Sequence, residues 1–311
     1  MQKIIINILS AAFLFTATVT AQTKISGQTV KNARFTYPLI ERWVAEYTKE
    51  NPEFQASKEL QALTGKESPL SIITSQPSDS DLTISQQITY VGRYALVPVT
   101  NRKNPLLEKT PKNGLSKKQL KKIFFEESDE LAEDNNEAKS KFVATVYSRD
   151  NNTPSTIALA KYFGAKPEEL KGKKVLGDDI YLLSAIRKDT TGITFNSLSY
   201  VFDTQSRKLS NGIALVPLNV KTQQREVLSL PDLDNTLSLL EHSSVDNIPV
   251  EKIGFVLSPE QRENKIITAF IKWILTKGQA FNHAAGFLQL DEATLAFQKE
   301  HIDEKLLSTI Q

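Results

Sequence analysis

The chain predicts an α/β protein with mixed, mostly parallel sheets flanked by helices. Two observations carry that expectation. Short runs rich in β-branched residues alternate with segments whose apolar residues recur at helical spacing. With 311 residues, the chain is also long enough for two ordinary domains, each with its own core. There is no cysteine, which leaves no disulfide framework, no thiolate metal site and no lipidated cysteine after a leader. Lys and Arg number 38 against 36 Asp and Glu, so wholesale attraction to nucleic acid is excluded.

The elements follow in order. MQKIIINILSAAFLFTATVTAQ sets Lys3 before an apolar run from Ile4 to Phe15, then small residues up to Ala21. This is the layout of an export signal cleaved after Ala21, and the run is short for a bilayer span. A soluble periplasmic protein beginning at Gln22 is expected. FTYPLIERWVAEYTKENP places Leu39, Ile40, Trp43, Val44 and Tyr47 on one helical face, with Pro52 as the stop. SPLSIITS is a short buried strand, and YVGRYALVPVTN a strand from Tyr90 to Thr100. GLSKKQLKKIFF opens a helix with Ser116 as N-cap and Leu120, Ile123 and Phe124 inward. EESDELAEDNNEAKSK is a solvated, charged insertion. KFVATVYSR, ITFNSLSYVF, GIALVPLNV and IPVEKIGFVL are strands. NKIITAFIKWIL is an amphipathic helix ending at Gly278, and EATLAFQKEHIDEKLL is the closing helix. Trp43 and Trp273 belong to the core.

One segment carries chemistry. In YSRDNNTPSTIALAKYFG, Arg149 stands four residues before Thr153, and Thr153-Pro154-Ser155 opens a helix just past a strand. Ligands of α/β sheets gather at such strand ends, where helix N-termini present unpaired N–H groups and the positive end of the dipole. Pro154 suits the first turn, Thr153 and Ser155 add hydroxyls, and Arg149 adds a forked cation. The set is complementary to a small oxyanion; a capped helix with a surface arginine is the plainer alternative. His242, His283 and His301 are scattered, and no metal, nucleophile-elbow or nucleotide motif occurs. No metal or cofactor is expected. The acids that end LGDD at Asp179 read as a solvated turn or a cap rather than a catalytic pair.

Several segments in collinear order resemble the substrate-binding proteins of phosphate ABC transporters, which have the type 2 periplasmic binding fold. ARFTYPLIERWVAEYTKENP resembles that family's Ala-Thr-Phe-Pro-x-Pro-Leu-x-x-x-Trp opening. YALVPVTNRKNPLLEKTPKNGLSKKQLKKIF resembles its strand, Asn-Pro-Leu turn and following helix. SRDNNTPST resembles its Arg-x-x-x-Ser-Gly-Thr phosphate loop. TTGITFNSLSYV and IPVEKIGFVL followed by ITAFIKWILTKGQAF resemble its later strands and helix.

The resemblance implies two α/β lobes, 22–97 with 218–311 and 98–217, crossing near Val97-Pro98 and Pro217-Leu218. It also implies a phosphate-like anion in the cleft between them. It places Arg149, Thr153 and Ser155 on the phosphate loop, with Pro154 replacing a glycine and removing one N–H. Arg34 falls on a ligand-binding threonine, and Phe35 keeps the neighbouring aromatic and offers its backbone N–H. Ser57 is the hydroxyl left where a glycine-rich loop should be. Gln76 replaces the aspartate that accepts the ligand's proton, with Asp79 nearby. The implied partners are phosphate or a similar oxyanion and a membrane transporter or sensor, with a monomeric protein serving uptake or sensing and doing no chemistry. The alternative is a degenerate binding-protein fold acting as a ligand-free periplasmic interaction module.

Overall fold

The computed structural model describes residues 34–54, 71–74, 87–126 and 144–308, with side chains in the last helix as far as 302. The export signal, Ser57, Gln76, Asp79 and nearly all of the acidic insertion lie outside the described residues. Among the described residues, seven strands form one array in the order β1-β7-β2-β5-β3-β4, with β6 paired to β2. They are β1 (Ser71–Ile73), β2 (Gln87–Asn101), β3 (Thr145–Ser148), β4 (Lys173–Lys174), β5 (Gly192–Ser197), β6 (Ile213–Leu215) and β7 (Val250–Leu257).

β2 organises the array. It runs for 15 residues, nearly all buried in its second half. From Gln87 to Ala95 it pairs with β7, and from Leu96 to Asn101 with β5 and β6. One strand therefore serves two groups of partners, which change over between Ala95 and Leu96. Pro98 explains the brevity of β6. It accepts from Val216 N at 3.0 Å but has no N–H to return, so the ladder ends there.

Strand direction departs from the expectation of mostly parallel sheets. Among the described strands, only the β3–β5 and β3–β4 pairs are parallel. β2 is antiparallel to β5, β6 and β7, and β1 to β7. The reason is that β2 carries the chain across the array, while β6 and β7 bring it back. Returning strands oppose the strand they return beside, whereas a parallel pair needs a crossover on one face.

Helices flank the array. The main ones are α1 (Tyr37–Glu50), α2 (Lys117–Phe125), α3 (Pro154–Phe163), α4 (Ile180–Lys188), α5 (Thr222–Ser229), α6 (Leu233–His242), α7 (Lys265–Thr276) and α8 (Glu292–Ser308). α1 buries Leu39, Ile40, Trp43 and Tyr47, and Trp43 Nε1 donates to Gly278 O and Asn282 Oδ1. α2 begins at a reciprocal Ser116–Gln119 capping box and sets Phe124 edge-on to Phe195 at 4.8 Å. α7 is capped by Asn264 and ends at Thr276, just short of Gly278. The ITFNSLSYVF run is a strand only to Ser197, and Leu198–Val201 is a helical turn. No described helix is long and apolar enough to cross a membrane.

The parallel part of the array positions the site. β4, β3 and β5 lie side by side, so the segments leaving them emerge together at one end. Those segments are Arg149 to Thr153, Val175 to Asp179, and Ser197 to Tyr200.

Candidate functional site

Arg149 follows β3 and is buried, as are Thr153 and Ser155 at the start of α3. The structure brings these three together. Their partners, however, belong to the chain itself. One terminal nitrogen of Arg149 donates to Val175 O and the other to Gly177 O. Its Nε lies 2.9 Å from Asp179 Oδ1. That contact is an ion pair by distance, but the Nε–H is not aligned on the oxygen as a hydrogen bond requires. Ser155 also acts on the Asp179 carboxylate, favouring its charged form.

The Asp179 side chain is only 13% exposed, so a solvated turn does not describe this acid, although Leu176 before it is exposed and the cap reading holds for Asp178. The turn is held by neighbours. Val175 N donates to Ser148 O at 2.9 Å, and Asn196 Nδ2 donates to Asp179 O at 2.7 Å. Asp179 stands at the N-cap of α4 but caps nothing. Asp178 accepts from Ile180 N instead, at 3.2 Å. The Asp179 side chain is thereby left to face Arg149. Burial pushes its carboxyl up to about 6, against the pull of the Arg149 charge and the Ser155 hydroxyl; Asp178 beside it pushes the same way as burial.

The hydroxyls of α3 are likewise engaged. Thr153 Oγ1 lies 3.0 Å from both Asp150 O and Thr156 Oγ1, with one proton to share between them, and 3.5 Å from Ser155 Oγ. Thr156 Oγ1 donates to Arg149 O at 3.4 Å. Arg149 borders a cavity of about 10 Å³ lined by Ser155 and Thr156 as well as Phe124, Leu159 and Phe195. That is room for about one water and too little for a tetrahedral oxyanion. Asp179 stands against the Nε edge of this arginine.

Arg34 and Phe35 lie in the short helical turn before α1. The Phe35 ring is core, tilted on Tyr94 at 4.9 Å and stacked on Phe287 at 6.2 Å. Arg34 is exposed, and its charge acts on the Tyr200 hydroxyl. That phenol is held well above the ordinary tyrosine range by burial, then by the charge of Asp178 and a hydrogen bond to it; Arg34 opposes the shift. Tyr94 is raised by burial, with Asp179 among the lesser causes. Ser57 and Gln76 lie outside the described residues.

No protein-family model matches the chain, and no curated protein matches its sequence. Solved structures do. A protein of Clostridium perfringens assigned as a phosphate ABC transporter substrate-binding protein, solved with phosphate bound, matches with a TM-score of 0.57 and 16% identity, over 85% of this chain and 98% of that one. An ABC-type phosphate transport receptor of Vibrio cholerae matches with a TM-score of 0.51 and 11% identity, over 83% and 98%.

The fold is that of the type 2 periplasmic binding proteins.

At these identities the likeness is one of solute-binding fold. What the binding fold gathers here was only partly visible beforehand. Asp179, Asp178, Tyr200 and the carbonyls of Val175 and Gly177 were not expected at the site. One signal was available: two acids precede an apolar helix, which needs only one cap.

Proposed function

We propose that the protein is a periplasmic solute-binding protein for a small oxyanion of the phosphate class. The single observation that supports this reading is chemical. Arg149 and Ser155 converge on a carboxylate, so the cluster is complementary to an anionic pair of oxygens. The two lobes would be 22–97 with 218–311 and 98–217, and the change of partners along β2 lies close to the first boundary. The anion would sit between them against Arg149, Thr153 and Ser155. Arg34, the Phe35 N–H, Ser57 and Gln76 would complete the site from the other lobe. Contacts from both lobes would favour a closed form, which a membrane transporter or sensor would recognise. The protein would be a monomer and would catalyse nothing.

The deciding experiment is titration calorimetry of refolded, ligand-stripped protein against phosphate, sulfate and arsenate at pH 5.5. Binding of at least one is expected, and silence from all three sinks the reading. A second reading has its own support, since the nitrogens of Arg149 already face acceptors of the chain. In that reading the socket is permanently filled and the fold serves as a ligand-free interaction module. Silence in calorimetry would favour it.

A further inference from the structure

We propose that Asp179 is a built-in competitor for the anion: its carboxylate holds the place against Arg149 and Ser155 that an incoming oxyanion would take, and must yield it first. The inference rests on the oxyanion reading above and adds the residue that sets when, and for which anions, the site opens.

Three observations carry it. First, the loop from Val175 to Asp179 turns two carbonyls and a carboxylate onto one guanidinium. Second, the cavity that Arg149 borders among Phe124, Leu159 and Phe195 has about 10 Å³, too little for a tetrahedral ligand. Third, the Asp179 carboxylate is not needed by its own helix, because Asp178 binds the first N–H of α4. Its backbone is pinned by Asn196, and β4 holds the loop at its start. Yielding is therefore a local event of protonation or side-chain rotation. It does not need a moving lid.

The groups facing Asp179 fix the direction of the pH effect. They are Arg149, Asp178, Tyr94 and Tyr200, with Arg34 acting on Tyr200 from beyond it. Both tyrosines are raised and stay neutral near pH 7. Asp179, which burial holds at about 6, is the member that changes charge between pH 5 and 8. Its protonated form releases Arg149 and no longer repels an anion. Its ionised form does both harms, so anions bind less well as pH rises.

Sulfate is the discriminating probe, because it remains a dianion across that range. Calorimetric affinity for sulfate is measured from pH 5 to 8 on the mature protein and on Asp179→Asn. Wild-type affinity should fall about tenfold per pH unit above about 6, as the competent fraction shrinks. Asp179→Asn should bind at least tenfold tighter than wild type at pH 8, with no pH dependence. Equal or weaker binding by the variant would overturn the inference and make Asp179 a supporter of the ligand, with the oxyanion reading intact. The same pH slope in both proteins would also overturn it. If neither protein binds any oxyanion at any pH, the oxyanion reading falls and takes the inference with it. Should Asp179→Asn fail to fold, Gly177→Ala decides. Gly177 has a φ of +99°, and an added Cβ would lie 2.6 Å from the Tyr181 ring. That substitution moves the loop while keeping the carboxylate, and it should tighten sulfate binding in the same direction; unchanged or weaker binding would count against the inference.

Discussion

Arg149 has two roles that different substitutions can separate. It is a candidate ligand, and it is also the tie that holds the Val175–Asp179 loop. Arg149→Ala should therefore do more than remove a ligand. It strands a buried carboxylate, and breaking a buried pair from one side costs about 3–5 kcal/mol. The loss should be greatest at pH 7 and smaller at pH 5, where Asp179 takes up a proton. Urea denaturation at both pH values checks this, and an equal loss at both would mean that the pair is not what Arg149 stabilises.

The pH dependence of the wild type has the same origin. Asp179 has a higher pKa in the folded chain than in the unfolded one, so the folded form binds protons more tightly between about 4 and 6. Stability from this group is fully present below pH 4 and is lost as pH rises through 6. The change is on the order of 3 kcal/mol. The stability difference between wild type and Asp179→Asn should move by that amount across the window; a constant difference would refute it. Arg149, Thr153 and Ser155 were legible because they share one local segment. The Asp179 contact was not, because it joins the exits of β3 and β4, which only their parallel pairing brings together.

At the scale of elements, legibility followed amphipathic stripes. The buried faces of α1, α2 and α7 are written in their spacing, and the Ser116 cap could be named in advance. α5 buries Gln224 alone, so it offers no stripe to read. α6 does have one, in Leu233, Leu237 and Leu240 behind an Asp232 cap. The capping box of α2 predicts that Ser116→Ala costs about 1 kcal/mol, measurable by chemical denaturation. A larger effect is expected at Gly114. Its φ is +82°, and an added Cβ would lie 2.3 Å from Leu218 C, where Leu115 and the Pro217–Asn219 segment exchange hydrogen bonds. Gly114→Ala should destabilise by more than 2 kcal/mol, since both the backbone conformation and the close approach oppose it. If it proves as mild as Ser116→Ala, the two segments are not locked together there.

At the scale of the whole molecule, element types were legible and strand directions were not. Direction depends on where the chain returns, and no residue in β7 records that it comes back beside β2. Export is a claim about the whole chain too. In a Gram-negative host the mature protein should begin at Gln22 and fractionate with the periplasm. Soluble cytosolic protein with Met1 intact would contradict it.

The strand shared across the array has a further consequence, for how the protein melts. A protein of this size divided into separate cores can lose them one at a time. Here β7 on one side and β5 and β6 on the other all pair with β2, whatever further partners they have. Neither group can come apart without taking from the other the strand that both depend on. Heating should therefore produce a single calorimetric transition whose van't Hoff enthalpy matches the measured one, and two resolved peaks would mean that each half keeps its order without the common strand.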